Sequence, residues 1–190
     1  SLLQAYALAV LFLSSGHFFL YLLSPLTALL ALSTVILYNG VYTLYWKVKL
    51  PFAAVPGAIP GAMPVVIGYS ANSSNLLDPE CVYLFLLMFL WQMPHFWSLA
   101  IRYREDYIRG GFPVLPAVLG NQVTLYQIGL YVFIYVGLAM ASPLFLRGNL
   151  LYILVVVPIA LKVLWEFYRY FGSKEQAGWL RFFLWVNLSM

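Results

Sequence analysis

The sequence predicts an all-α fold, a polytopic bundle of membrane-spanning helices, from its composition and from the length of its apolar segments. Of its 190 residues, 64% are hydrophobic and only 8% are charged, and the mean hydropathy is +0.88. A soluble domain carries about 25% charged residues, so a water-soluble globular protein and a nucleic-acid-binding domain are excluded. Apolar runs of about 20 residues, each sufficient to cross the hydrocarbon core as a helix, recur along the chain. Membrane strands are not expected, because the short alternating segments of a barrel are absent.

Polar residues, prolines and glycines separate these apolar runs into six full spans and a partial seventh. Ser24 and Pro25 leave only a tight turn between the first two, which therefore form a hairpin. We expect the chain to form one transmembrane domain, 1–190, that is cut at both ends, because Ser1 leads directly into an apolar run and the last run is too short to span. The predicted spans are 2–23, 25–45, 52–70, 81–101, 122–142, 149–169 and 179–190.

An aromatic stripe ends the second span. Tyr38, Tyr42 and Tyr45 follow the i, i+4, i+7 spacing of one helix face and lead to Lys47. Aromatic faces stabilise cations, including a carbocation that develops during a reaction. The stripe equally fits an interfacial aromatic belt with a snorkelling lysine.

The third span repeats Pro-Gly at a four-residue spacing, at Pro56-Gly57 and Pro60-Gly61, and a further proline follows at Pro64. Each of these prolines lies on the same helix face and lacks a backbone donor. Two interpretations remain open, namely close packing of a kinked helix or a helix that lines a cavity.

The fourth span contains polar side chains where they are costly. Trp91, Gln92, Pro94 and His95 lie within an apolar run, and intramembrane polar groups usually face a cavity or another helix. His95 fits a haem ligand, a proton donor or acceptor, or a hydrogen-bond partner of a neighbouring helix.

Both signs of charge cluster directly after the fourth span. If its helix continues, Arg102, Asp106 and Arg109 share one face. Carboxylates bind Mg²⁺ together with substrate phosphates, and arginines bind phosphate oxygens, so the cluster suits a diphosphate. An ordinary Arg/Asp pair in a cytoplasmic charge cluster also fits this segment. We expect the whole stretch from Arg102 to Asn121 to form an ordered surface loop.

The last three spans complete a topology with strong charge asymmetry. If the spans alternate across the bilayer, nine basic residues fall on one side and only Arg147 on the other. The positive-inside rule places the nine-charge side in the cytoplasm, or in the matrix of a mitochondrion. These nine are Lys47, Lys49, Arg102, Arg104, Arg109, Lys162, Arg169, Lys174 and Arg181.

Five segments closely resemble, in order and spacing, the protoheme IX farnesyltransferases (haem O synthases), a branch of the UbiA superfamily of intramembrane prenyltransferases. They are Tyr42–Lys47, Pro56–Gly68, Trp91–Trp97, Tyr103–Tyr107 and Pro113–Pro116. The resemblance covers essentially the whole chain. It implies a nine-helix bundle around a cavity that opens towards lipid, with about seven of the nine helices present here.

The resemblance also implies an activity: transfer of farnesyl from farnesyl diphosphate to a vinyl group of haem b, giving haem O. Mg²⁺ would hold the diphosphate, and haem b would be the acceptor substrate. Partners would be the lipid bilayer and a haem A synthase, with no nucleic acid. The site would face the cytoplasm from a bacterial inner membrane, or the matrix from a mitochondrial inner membrane.

Site residues follow from the matched motifs. Asp106 would bind Mg²⁺, while Lys47, Arg102 and Arg104 would neutralise diphosphate charge, with Asp106, Arg102 and Lys47 as the catalytic set. The family's first acidic motif, an Asn and two Asp, is absent, because the chain starts at what corresponds to helix three, and Val48 stands where the family has arginine. Further substrate contacts implied by the resemblance are Arg104, Tyr42, Tyr103, Tyr107, His95, Trp91 and Gln92.

Two other functions remain as alternatives. One is a UbiA-type prenyltransferase of an aromatic quinone precursor, against which the motif around His95 argues. The other is a non-catalytic membrane bundle such as a transporter, which would typically show inverted repeats.

Overall fold

The computed structural model describes residues 1–146, 150–173 and 177–190, and these residues form helices joined by short connections. Arg147 and Lys174, which entered the charge count, lie outside the described residues. The α-helices are α1 (Leu2–Leu23), α2 (Pro25–Ile36), α3 (Lys47–Lys49), α4 (Ala54–Ser70), α5 (Pro79–Arg102), α6 (Arg104–Arg109), α7 (Leu115–Met140), α8 (Leu150–Gly172) and α9 (Trp179–Leu188). A π-helix, Leu37–Trp46, joins α2 to α3, and a 3₁₀ turn, Ser142–Leu144, follows α7.

Four helical segments of the described residues are long and apolar enough to cross a membrane: Leu2–Leu23, Pro25–Lys49, Pro79–Arg102 and Leu115–Met140. The apolar helix α4 is shorter, with 17 residues. Helix α8 has 23 residues and carries several charges. The predicted fold class, an all-α polytopic membrane bundle, is therefore confirmed.

The turn between α1 and α2 has the predicted hairpin form. Ser24 is extended (φ −163°, ψ 135°), and its Oγ accepts a hydrogen bond from the Leu26 N–H at 3.2 Å. Pro25 occupies the first helical position, where its missing N–H leaves no bond unmade. A buried hydrogen bond of 2.9 Å between the Thr27 and Ser70 hydroxyls then ties α2 to α4.

The aromatic stripe departs from its predicted helical spacing, because the segment that carries it is a π-helix. The Thr43 hydroxyl donates to the Tyr38 carbonyl five residues back, at 2.8 Å, as the wider π turn allows. The rings of Tyr38 and Tyr42 stay together, with centroids 5.3 Å apart. The Tyr45 ring instead lies beneath the Lys49 ammonium, apart from the paired rings of Tyr38 and Tyr42, so the expected three-residue stripe is wrong at its last member.

Helix α5 is central to the bundle, because it packs against α4, α7 and α9. The core that it shares with α7, α8 and α9 is built from large apolar side chains with almost no exposed surface. Members of this core include Met93, Trp97, Ile128, Val132, Val163 and Phe182.

The segment from Arg102 to Asn121 is not the single surface loop that the sequence predicts. It contains α6 and the first turns of α7, which begins at Leu115. Gly120 interrupts α7 with a positive φ of 81°, a conformation open mainly to glycine. The helix resumes after this kink, where the Thr124 hydroxyl donates to the Gly120 carbonyl at 2.8 Å. The predicted span beginning at 122 therefore corresponds to the part of α7 after the kink.

Helix α8 carries an ion pair inside the bundle. The Lys162 ammonium lies 2.7 Å from a carboxylate oxygen of Glu166, whose residue is only 2% exposed. The same ammonium lies 5.4 Å from the centroid of the Trp185 ring, which links the pair to α9. A buried charge that loses its partner costs far more than the pair contributes.

We expect Lys162→Met to destabilise the bundle by about 3 kcal/mol, because it leaves the Glu166 carboxylate buried and unpaired. The double variant Lys162→Met/Glu166→Leu removes both charges and should recover most of that loss. Unfolding in mixed detergent micelles, followed by circular dichroism, measures both. A double variant as unstable as the single one would contradict this account.

Candidate functional site

A cavity of about 420 Å³ lies between the π-helix, α4 and α5, and the segment 107–114 borders one end of it. Most of its wall is apolar, with contributions from Gly57, Ala100 and Phe96. The larger polar or aromatic side chains on its wall are Tyr38, Tyr42, Lys47, Gln92, Trp97 and Tyr107.

Two glycines of α4 make room for side chains of this wall. A Cβ on Gly57 would lie 2.4 Å from Cε2 of Tyr42, and a Cβ on Gly61 would lie 2.0 Å from Oε1 of Gln92. Real Cβ atoms do not approach other atoms so closely. The sequence left two interpretations of the Pro-Gly repeat, close helix packing or a cavity wall. Both apply, since α4 packs closely on its neighbours and also lines a cavity.

Lys47 lies at the end of the cavity bordered by the segment after α6. Its ammonium is 5.1 Å from the centroid of the Phe112 ring. The Phe112 N–H donates to the Tyr107 carbonyl at 3.0 Å, and the Phe112 ring meets the Tyr107 ring edge-on. The structure thus brings together Lys47 and Tyr107, two residues sixty positions apart in the chain.

The arginines lie near this end but do not line the cavity. Helix α5 ends because Tyr103 is non-helical (φ −106°, ψ 27°). The Arg102 guanidinium lies 5.7 Å from the centroid of the Trp179 ring, whereas Arg104 Nε donates to the Pro116 carbonyl at 2.9 Å. The expectation that Arg102, Asp106 and Arg109 share one continuous helix face is therefore wrong, because the chain turns at Tyr103 to place Arg104 against α7.

Asp106 pairs with Arg109 within α6, and both side chains are mostly exposed. Among the described residues, no three His, Cys, Asp or Glu side chains lie close enough together to hold a metal ion. An exposed carboxylate can supply one ligand to Mg²⁺, which commonly takes its other ligands from substrate phosphates and water. Asp106 is accordingly suited to a site that a diphosphate would complete.

The motif around His95 divides between two faces of α5. Gln92 lines the cavity, but Trp91 donates from Nε1 to the Val186 carbonyl of α9 at 2.7 Å. The His95 ring lies 5.0 Å from those of Trp91 and Phe183. Its Nδ1 is buried and has no hydrogen-bond partner among the described residues. Trp91 and His95 therefore contact α9 and do not line the 420 Å³ cavity.

Tyr103 lies outside the cavity lining, where its ring meets Trp179 edge-on. Sequence reasoning did not propose Gly57, Gly61 or Phe112 as site residues, although all three shape the site. The four-residue repeat of Pro-Gly was the available signal for the two glycines. The position of Phe112 depends on the fold of its loop, which no local pattern indicates.

Comparison with known proteins places this geometry in a family. The model of the UbiA prenyltransferase family matches residues 1–188. Protoheme IX farnesyltransferase of Bdellovibrio bacteriovorus is 51% identical over 183 residues, 96% of this chain and 63% of that protein. Protoheme IX farnesyltransferase 2 of Lysinibacillus sphaericus is 36% identical over 91% of this chain and 54% of its own length.

A third relative, protoheme IX farnesyltransferase of Leptothrix cholodnii, is 34% identical over 96% of this chain and 61% of its own length. The chain thus spans between 54% and 63% of these three relatives. No solved structure matches it significantly. The family match over nearly the whole chain agrees with the helical bundle and confirms the resemblance seen in its motifs: this chain belongs to the UbiA prenyltransferase family.

Proposed function

We propose that this protein transfers a farnesyl group from farnesyl diphosphate to a vinyl group of haem b, giving haem O. The observation that carries the proposal is the cavity, which joins a cation and a phenol at one end, Lys47 and Tyr107, to an apolar interior. An allylic diphosphate has the same two parts, an anionic head and an apolar chain. The names of the relatives favour haem b over an aromatic quinone precursor as the acceptor.

Breaking the allylic C–O bond requires neutralisation of the charge that develops on the diphosphate. Lys47 supplies a positive charge at the cavity, and Arg102 and Arg104 add two more at the adjoining ends of α5 and α6. Tyr42 and Tyr107 present aromatic rings at the cavity wall, where they stabilise a developing allylic cation. The apolar walls keep bulk water from that cation. Tyr103 is proposed to contact substrate from the edge of this region.

Asp106 is the proposed Mg²⁺ ligand of this chain. When bound, Mg²⁺ would neutralise part of the diphosphate charge and help it to leave. The carboxylate is exposed and bonded only to Arg109 among the described residues, so a metal ion can compete for it without breaking a buried contact.

His95 and Trp91 are proposed to contact one edge of haem b from the face of α5 that meets α9, while the reacting vinyl group enters the adjoining 420 Å³ cavity. The Nδ1 of His95 makes no hydrogen bond among the described residues, so haem binding at this face would break no hydrogen bond of that atom. We therefore expect His95→Ala to weaken haem b binding while sparing farnesyl diphosphate binding.

Titration of the purified variant with haem b, followed by absorbance, and with labelled farnesyl diphosphate separates the two effects. Phe183→Leu is the matched control, because it removes the other half of the ring contact without removing the imidazole. Equal losses of both ligands in His95→Ala would instead show that the ring only packs α9 against α5.

The proposed activity is tested by incubating membranes that contain the protein with haem b and farnesyl diphosphate and analysing the extracted haems by mass spectrometry. We expect haem O to form only when both substrates are present. A parallel incubation offers an aromatic quinone precursor in place of haem b. Prenylation of that acceptor without haem O formation would overturn the proposal.

Four further proposals concern the setting of the enzyme. We propose that residues 1–190 belong to one transmembrane domain and that the side carrying Lys47 and Arg102 faces the cytoplasm or the matrix, following the charge asymmetry. The membrane would be a bacterial inner membrane or a mitochondrial inner membrane. Association with a haem A synthase would consume the product directly.

A further inference from the structure

The carboxamide of Gln92 has a settled orientation in the cavity wall. Its Nε2 lies 3.1 Å from the Ala58 carbonyl and 3.2 Å from the Met88 carbonyl. Because both carbonyls only accept hydrogen bonds, the amide nitrogen must face them and the amide oxygen must point the other way. That oxygen lies over Gly61, where a Cβ would come within 2.0 Å of it.

The amide oxygen has no donor among the described residues, although Gln92 is only 5% exposed. Gln92 and Gly61 both line the 420 Å³ cavity, so the free acceptor belongs to the cavity wall. The oxygen atom itself is not fully buried, so it can accept a hydrogen bond from a molecule that enters the cavity. The cavity therefore offers a place for a molecule that can donate to Gln92.

Chemistry narrows the identity of that molecule. This step rests on the proposed function, in which the reactants are farnesyl diphosphate, haem b and water. The farnesyl chain has no N–H or O–H group, the pyrrole nitrogens of haem bind iron, and ionised phosphates and propionates accept hydrogen bonds. Water is therefore the reactant that can donate a hydrogen bond to the amide oxygen of Gln92.

We propose that the amide oxygen of Gln92 holds the water molecule that captures the haem-side carbocation. The electron pair of the vinyl group forms a C–C bond to the first farnesyl carbon. At the same time the C–O bond of that carbon breaks, and the bonding electrons of the C–O bond leave with the diphosphate. The water oxygen then bonds to the vinyl carbon next to the porphyrin, and the released proton passes to the diphosphate. Gln92 is a positioning residue in this scheme, since it acts through the water.

Without a held water, the same cation loses a proton from the neighbouring carbon and yields an alkene, lighter than haem O by one water. The product ratio of alkene to alcohol therefore reports the role of Gln92. This ratio does not depend on how much of a variant is folded, because only active molecules make either product.

The experiment compares four variants in a form of the protein that makes haem O, with products separated by mass. Gln92→Met removes the acceptor, and Gly61→Ala displaces it with one methyl group; both should raise the alkene fraction, on the order of tenfold, as the loss of one transition-state hydrogen bond would. Gln92→Asn keeps the amide but withdraws its oxygen from Gly61 by one methylene group, and it should raise the alkene fraction as well. Gly68→Ala is the matched control, because it adds the same methyl group to α4 at a position outside the cavity lining where nothing lies within 4 Å, and it should leave the ratio unchanged.

An unchanged ratio in Gln92→Met and Gly61→Ala would overturn the inference, as would an equal rise in Gly68→Ala. Loss of both products from Gln92→Met and Gly61→Ala would also overturn it, because the amide would then be needed for farnesyl transfer itself. If the unmodified protein makes no farnesylated haem of either mass, the proposed function fails first, and this inference fails with it.

Discussion

Asp106→Asn is expected to lower turnover on the order of 10²-fold. The proposed role of the carboxylate is to bind Mg²⁺ beside the diphosphate, and a neutral amide is a much weaker ligand for a hard cation. Because the side chain is mostly exposed, folding should be little affected. Haem O formation, measured over a range of Mg²⁺ concentrations, checks this expectation.

Arg109→Met supplies the control for Asp106. It removes the only ion-pair partner of Asp106 among the described residues and leaves the carboxylate in place. If the carboxylate acts as a metal ligand, Arg109→Met keeps most of the activity and its Mg²⁺ dependence. If both variants lose activity equally, the ion pair within α6 is what matters, and Asp106 is not a metal ligand.

Lys47→Met is expected to reduce kcat/KM for farnesyl diphosphate on the order of 10²-fold, mainly because the diphosphate loses its cation at the cavity wall. The apolar part of the lysine side chain is preserved by methionine, so the contact with Phe112 is altered chiefly in its charge. Steady-state kinetics with farnesyl diphosphate varied at saturating haem b provide the measurement.

Lys49→Met is the matched control for Lys47→Met. Lys49 lies two residues away, and its ammonium sits 4.4 Å from the centroid of the exposed Tyr45 ring, outside the cavity lining. The substitution Lys49→Met removes one positive charge from this segment, as Lys47→Met does. A loss of kcat/KM in Lys49→Met as large as in Lys47→Met would mean that general attraction by a basic surface, and not a placed cation, accounts for the effect.

Much of the fold could be predicted from the sequence, because membrane helices satisfy their own backbone hydrogen bonds and must be long and apolar. The apolar runs near 2–23 and 81–101 correspond to α1 and α5 within two residues. The motifs were also sufficient to identify the UbiA family, as the match over residues 1–188 confirms. These features depend on local composition and order, which a sequence contains directly.

Local irregularities of the helices were decided by tertiary structure. The π-helix at Leu37–Trp46 changes which tyrosines share a face, and the turn at Tyr103 separates Arg102 from Asp106. Each is accompanied by contacts with other helices: Tyr42 of the π-helix lies against Gly57 of α4, and Arg104 after the turn donates to the Pro116 carbonyl of α7. A spacing rule that assumes one continuous α-helix cannot anticipate them.

The candidate site shows most clearly which features the sequence predicts and which the tertiary structure decides. Its chemistry was readable from the sequence, since intramembrane Gln92 and His95 and the basic Lys47 stood out against an apolar background. The orientations of these side chains could not be predicted, because consecutive residues of a helix point in directions about 100° apart and face different partners. Gln92 therefore faces α4 and the cavity, held over Gly61, whereas His95 three residues later contacts Phe183 of α9. Only the packing of α4 and α9 against different parts of the α5 surface decides which polar group meets the cavity.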